Sequence, residues 1–166
     1  MEPNPFLQTD QPATMADIVA IEQQYGFTLP DDYKQHILAH NGGFPQRRTF
    51  VEIDPDGDQV ERDVSDFYSI RYGVSTLERT LELLADQIHS DLVPFASDAG
   101  GDQFLLSVGP QDYGSVYYLS HEFYTPSDDD DEEDTDEAPL DYGSGVHFLA
   151  PSFTAFLNGL VAGTPV

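Results

Sequence analysis

The apolar residues of the chain first recur with the period of a helix and later with the alternation of short strands. Three of them share one helical face in the first segment: Ile18, Ile21 and Tyr25. Thr14 and Asp17 have the spacing of a capping box, and Gly26 is the residue type that ends a helix in a left-handed conformation. The pattern predicts a helix between these signals, preceded by an extended lead-in over residues 1–13.

A second helix is predicted directly after a short corner. Pro30 stands just inside its start, and two aspartates, Asp31 and Asp32, occupy the first turn, where carboxylates favour the helix dipole. Its buried face is formed by Tyr33, Ile37 and Leu38. We expect the Asn41-Gly42-Gly43 sequence to end this helix with a left-handed cap.

Two further helices are indicated later in the chain. Thr76 caps the third, whose apolar face repeats through Leu77, Leu81, Leu84 and Ile88. We expect Leu81 and Leu84 to lie in the core. Ser152 caps the last helix, whose apolar face holds Phe153, Phe156, Leu157 and Leu160.

Six segments rich in β-branched and aromatic residues are predicted strands: 49–53, 60–70, 92–96, 103–108, 115–119 and 146–149. The loops between neighbouring strands are rich in Gly, Pro and Asp, which favours antiparallel pairing. Helices and strands occur in runs, not in strict alternation. The sequence therefore predicts a single α+β domain over residues 14–162, with a central, mostly antiparallel sheet and helices packed on it.

The charge of the chain indicates which kinds of partner it can bind. The 166 residues contain 31 Asp and Glu against 6 Lys and Arg, a net charge of −25. Nucleic-acid backbones and anionic membranes would be repelled, so neither is expected as a direct partner. The absence of Cys excludes disulfides, Cys-ligated zinc and a Cys nucleophile. The first 14 residues have neither a basic nor an apolar stretch, so we expect a cytoplasmic protein.

Nine of the ten residues from 128 to 137 are acidic, and we interpret this run as a solvated loop inserted into the domain. Such a loop can serve solubility alone or can complement a basic partner. Without these nine acids the net charge is still −16, so the negative field belongs to the whole domain. The predicted partner-binding residues are Asp128, Asp129, Asp130, Asp131, Glu132, Glu133 and Asp134.

Histidines at helical spacing are one candidate for chemistry. His36 and His40 are four residues apart, as two metal ligands on a helix would be. The next residue is Ile37, however, and not the Glu of a metalloprotease helix. A His near a helix C-terminus also interacts favourably with the helix dipole. We expect no metal at this pair.

Two acidic loops are the other candidates. The first begins like a calcium-binding loop with Asp54, Asp56 and Asp58, but Gln59 and Ser65 replace the required Gly and Glu, so a hairpin turn is favoured. The second, from Asp98 to Asp102, contains two glycines but no basic residue that would hold a phosphate. No Gly-x-Ser-x-Gly sequence is present. We therefore predict no catalytic residues, no cofactor and no enzymatic activity.

Three sequence stretches carry recognisable motifs. They are the Leu-Pro-acid-aromatic opening at 29–34 with its Asn-Gly-Gly close at 41–43, the Val-Pro-Phe-Ala sequence at 93–96 followed by Gly-Gly-Asp-Gln-Phe at 100–104, and the segment 152–157. Together these stretches resemble the SUKH superfamily, the Smi/Knr-like fold. The resemblance spans about residues 14–160. The motif residues, for which a structural role is expected, are Leu29, Pro30, Tyr33, Asn41, Gly42, Gly43, Gly101, Asp102 and Phe104.

The resemblance implies an α+β domain without a shared enzymatic activity. Many bacterial members of this family are immunity proteins that neutralise toxins delivered between cells, and eukaryotic relatives regulate cell-wall synthesis and signalling. The expected function is a protein-binding module that neutralises a basic toxin, such as a nuclease. The alternatives are a regulatory scaffold of the eukaryotic kind and a hydrolase or metal enzyme that uses His36 and His40.

Overall fold

Helices in this protein occupy the N-terminal third, the middle and the C-terminal end of the chain. The computed structural model describes residues 5–53, 56–73, 76–84, 87–89, 91–120 and 145–162. Within these ranges the helices are α1 (Met15–Tyr25), α2 (Asp31–Ala39), α3 (Leu77–Leu84) and α4 (Phe153–Asn158).

The strands in the same ranges pair only with antiparallel neighbours and form three sheets. The strands are β1 (Phe6–Leu7), β2 (Phe44–Pro45), β3 (Thr49–Ile53), β4 (Gln59–Asp63), β5 (Asp66–Phe67), β6 (Leu92–Ser97), β7 (Gln103–Ser107), β8 (Val116–Leu119), β9 (Val146–Ala150) and β10 (Leu160–Val161). Their orders are β1-β2, β10-β3-β4 and β5-β6-β7-β8-β9. The predicted α+β class is confirmed, and the five-stranded sheet is the central one.

The first helix begins and ends where the sequence predicts. The Thr14 hydroxyl accepts a hydrogen bond from the Asp17 amide at 3.3 Å, and the Asp17 carboxylate accepts one from the Thr14 amide at 3.0 Å. This is the reciprocal capping box. Gly26 closes the helix with φ of +76°, a conformation that costs glycine little.

The predicted cap of α2 is wrong in its details. The helix starts after Pro30, and His40 closes it in an extended conformation, so Asn41 is not a left-handed cap. The Asn41 side chain instead accepts from the Ile70 amide at 2.8 Å and donates to the Ile70 carbonyl at 3.0 Å and the Gln11 carbonyl at 2.8 Å. A buried amide that satisfies three backbone groups links the end of α2 to two distant segments.

Aromatic side chains fill the space between the central sheet and helices α2 and α4. The rings of Tyr33 and Phe95 both meet the Phe153 ring edge to face, at centroid distances of 5.0 and 5.3 Å. Phe104 and Phe156 complete this group, and all five side chains are fully buried. Edge-to-face packing adds to the stabilisation that comes from burying the rings.

The third helix follows its predicted apolar face but buries it unevenly. Thr76 caps it by accepting from the Arg79 amide at 3.2 Å, as predicted. Leu77 is fully buried, whereas Leu81 only packs against the core from a partly exposed position, and Leu84 lines a surface cavity. The expectation that Leu81 and Leu84 lie in the core was wrong, because the neighbouring elements cover only the N-terminal end of the face.

Two strand predictions needed correction. The segment predicted as one strand over 60–70 divides at Val64 and Ser65 into β4 and β5, which belong to different sheets. The lead-in contains β1, whose Phe6 packs against His36, His40 and Phe67.

The last helix is capped as predicted, since the Ser152 hydroxyl accepts from the Ala155 amide at 3.0 Å.

Candidate partner-binding surface

The acidic run lies outside the described residues, which resume at residue 145 after a gap that begins at 121. Its predicted partner-binding residues therefore stay predictions: Asp128, Asp129, Asp130, Asp131, Glu132, Glu133 and Asp134. The described ranges form the remainder of the domain.

That remainder is itself strongly acidic, since it holds 17 Asp and Glu against 6 Lys and Arg. Several of its cations are already neutralised by neighbours. Lys34 pairs with Glu22 at 3.2 Å. Arg62 pairs with Glu52 at 3.1 Å, and Arg71 pairs with Asp17 at 2.5 Å. These ion pairs leave the surplus carboxylates to set the sign of the surface field.

The family-motif residues in and beside α2 have structural positions. Leu29 and Tyr33 are buried in the core, and Pro30 occupies the position before the first residue of α2. Gly42 and Gly43 both have positive φ, and a Cβ at Gly43 would overlap the Leu7 carbonyl oxygen. Glycine is required here because the lead-in strand passes directly against the backbone.

The second motif forms the β6–β7 hairpin and surrounds a tyrosine of β8. Both oxygens of Asp98 are used: one accepts from the Gly100 and Asp102 amides at 2.9 Å, and the other accepts from the Tyr118 hydroxyl at 2.8 Å. The Asp102 carboxylate also contacts that hydroxyl. Burial, followed by these two carboxylates, raises the pKa of Tyr118. The loop thus directs two carboxylates to the hydroxyl of Tyr118 in β8.

A polar group that we call the inter-sheet cluster joins the three-stranded and five-stranded sheets. It consists of Glu52, Arg62, Tyr118 and His147. The Arg62 guanidinium lies 4.2 Å from the centre of the Tyr118 ring and pairs with Glu52, whose side chain is only 7% exposed. His147 Nδ1 lies 3.8 Å from the same carboxylate. Arg62 therefore contacts the buried Glu52 carboxylate and the Tyr118 ring at the same time. We interpret this arrangement as a structural contact between the two sheets.

The histidine pair of α2 is enclosed by aromatic rings. The His36 ring lies 4.6 Å from that of Phe6 and 5.1 Å from that of Phe153, and burial lowers the pKa of His36 to about 3. Across the described ranges, no group of three or more His, Asp or Glu side chains is arranged to hold a metal ion. Asp54 of the calcium-like loop lies outside those ranges, while Asp56 and Asp58 are exposed on the β3–β4 hairpin.

A surface cavity of about 280 Å³ opens beside the C-terminal end of α3, and we call it the α3 cavity. Its wall is mostly apolar and is formed by Tyr25, Phe27, Leu81, Glu82, Leu84, Ile88, His89 and Leu92. The Tyr25 hydroxyl lies 3.4 Å from both the Glu78 carbonyl and the Glu82 carboxylate. Sequence analysis missed this cavity because Leu81 and Leu84 belong to the same periodic face as the buried Leu77.

In the described part of the chain, none of the helices is long and apolar enough to cross a membrane. The α+β topology and the positions of the motif residues agree with a domain of the SUKH class. The chain belongs to the SMI1 / KNR4 family (SUKH-1), whose model matches residues 12–159.

The chain is similar to the SPbeta prophage-derived uncharacterized protein YokK of Bacillus subtilis, with 24% identity over 131 residues. The alignment covers 70% of this chain and 66% of the relative, slightly less than two thirds of its length.

Proposed function

We propose that this protein is a non-enzymatic immunity protein that binds a basic protein toxin and neutralises it by direct contact. The observation that carries the proposal is the negative charge of −16 that remains on the chain without its acidic run. Membership in the SUKH-1 family supports a role in protein binding. The proposed site of action is the cytoplasm.

The mechanism combines electrostatic steering with steric blockade. A surface with surplus carboxylates accelerates encounter with a Lys- and Arg-rich protein, by roughly 10- to 1,000-fold at low salt. Carboxylate pairs with arginine at short range then add bidentate hydrogen bonds. If the partner is a nuclease, the acidic surface occupies the groove that otherwise receives a nucleic-acid backbone.

Affinity capture followed by kinetics tests this proposal. The tagged full-length protein is incubated with an extract of its source organism at low salt, and captured proteins are identified by mass spectrometry. We expect a basic protein whose toxic activity is inhibited when it is mixed with this protein at equal concentration. Capture only of acidic or non-toxic proteins, or unchanged toxin activity at saturating concentrations, contradicts the proposal.

Salt dependence then tests the steering step. The Debye length falls from about 30 Å at 0.01 M salt to about 8 Å at 0.15 M, so the association rate constant decreases steeply over this range. A variant with residues 128–134 neutralised associates more slowly but still binds, because the remaining domain is acidic. Equal association rates at both salt concentrations contradict steering.

A regulatory scaffold that binds signalling proteins through the same surface is the second candidate. Its support is the family match, which includes no activity that separates the two roles. The captured partner distinguishes them, since a scaffold retains signalling proteins and leaves their activity intact.

A further inference from the structure

The α3 cavity is an open and mostly apolar feature of the described surface. The apolar face of α3 packs against the core at Leu77 and in part at Leu81, which also lines the cavity. Leu84 at the end of the helix and Ile88 beyond it line the same open cavity. A domain gains free energy by covering such groups, at roughly 25 cal/mol per Å² of apolar surface, so these positions retain binding energy for another molecule.

The floor of the cavity is firmly anchored in the domain. Leu92 at the start of β6 is buried with Leu105 and Leu119 in a second apolar cluster, and Ile88 packs against that cluster. On the opposite wall, the Tyr25 and Phe27 rings stack with centroids 6.1 Å apart. These contacts fix the side chains around the α3 cavity before binding, so a bound side chain does not have to order them.

The charge at the rim selects the chemistry of the occupant. Glu82 lies in the wall, and the described residues that line the cavity include neither Lys nor Arg. The Glu82 carboxylate lies 3.4 Å from the Tyr25 hydroxyl, and burial, followed by the negative charges of Glu82 and Glu78, raises the pKa of Tyr25. An anionic amphiphile is repelled by this rim, and a second copy of the chain would bring the same acidic rim.

We propose that the α3 cavity receives a bulky apolar side chain that is flanked by Lys or Arg in the protein bound by this chain. The volume of about 280 Å³ is slightly below that of cavities for drug-sized ligands and suits one or two side chains. Interface hot spots are typically anchors buried in pockets, and the rim of an interface is typically polar. This inference rests on the proposed function and adds the position and chemistry of its main contact.

Synthetic peptides test the inference on the intact protein. The first probe is the blocked hexapeptide Lys-Lys-Leu-Phe-Lys-Lys, and two matched probes change one property each: Lys-Lys-Ser-Ser-Lys-Lys lacks the apolar pair, and Glu-Glu-Leu-Phe-Glu-Glu reverses the charge. Titration is followed by amide chemical shifts of the isotopically labelled full-length chain. We expect saturable shifts at residues 81–84 and 87–92 with the first peptide and no such cluster of shifts with the other two.

Substitutions on one helix provide the controls. Leu84→Trp fills the cavity, and Glu82→Lys reverses the charge of its exposed rim. We expect each substitution to lower the affinity for the first peptide by at least about tenfold. Leu83→Gln is the matched control, since Leu83 is 63% exposed and does not line the cavity. Its effect stays within about twofold, in the range of neutral contacts around a hot spot. Glu82→Lys changes only an exposed side chain, which keeps the test valid if Leu84→Trp disturbs the fold.

Equal responses to the Leu-Phe and Ser-Ser peptides, or unmoved amides around the cavity, overturn the inference. The captured partner separates this failure from that of the proposed function. If the partner is still inhibited by the Leu84→Trp and Glu82→Lys variants at unchanged affinity, the cavity is not its anchor site and the immunity proposal stands. If no captured protein is inhibited by the wild type, the immunity proposal fails whatever the peptides show.

Discussion

The two ends of α3 carry the same kind of residue but have different environments. Leu77 at the start of the helix is fully buried, whereas Leu84 at its end lines an open cavity. We refer to the aromatic core and the residues packed in it as the closed region and to the α3 cavity as the open region. The difference shows that apolar periodicity identifies the face that turns inward but not how much of that face is covered.

Matched leucine truncations give the largest expected contrast between the two regions. Leu77→Ala creates a cavity in the closed region and should lower the free energy of unfolding by about 2–5 kcal/mol. Leu84→Ala should cost only about 1 kcal/mol, because solvent already reaches the side chain and part of its burial is missing. Urea denaturation of both variants checks this. Equal losses at the two positions would show that the cavity is filled in solution.

The ion pair between Arg62 and Glu52 should also stabilise the fold, but by less than the buried leucine of the closed region. Arg62→Met removes the cation that neutralises the buried Glu52 in the inter-sheet cluster. We expect a loss of about 2 kcal/mol, below the value for a fully buried pair because Arg62 is 19% exposed. In the double variant Glu52→Gln with Arg62→Met, part of the loss should return, since no uncompensated charge remains. A single variant as stable as the wild type would mean that water solvates Glu52.

The closed region also predicts a dependence of stability on pH. The pKa of His36 is lowered to about 3 in the folded protein, against a usual value of 6.5. The unfolded chain therefore binds the proton more readily, and the free energy of unfolding decreases as pH falls below 6.5. The slope from this group is about 1.4 kcal/mol per pH unit, and it continues until the pH approaches 3. Denaturation of the wild type and of His36→Leu between pH 7 and pH 5 should show a shallower slope for the variant, and identical slopes would place His36 in contact with solvent.

Most elements could be predicted because their signals are local. The capping box of Thr14 and Asp17, the glycine stop at Gly26 and the cap at Ser152 depend on neighbouring residues, and the structure confirms all of them. The role of Asn41 depends on partners 29 and 30 residues away in sequence, so its turn-forming character gave the wrong prediction. The same limit applies to β5, which pairs with β6 across α3.

The charge of the candidate site could be predicted from the sequence, but its position in the fold could not. A net charge of −25 is read from composition and indicates a basic partner. The α3 cavity needs Tyr25 and Phe27 from the first helix and its following corner to meet Leu84 and Leu92 from the middle of the chain. No periodic pattern within one segment contains that information, because the cavity is produced by what the packing leaves uncovered.

Growth rescue in cells is the most direct test of neutralisation. The basic protein captured from the source organism is expressed from an inducible promoter, with and without this protein in the same cytoplasm. We expect induction alone to arrest growth, and coexpression of the wild-type chain to restore it. Growth arrest that is equally severe with and without the chain, although both proteins are produced, would contradict the proposal that this protein neutralises a basic toxin by direct binding.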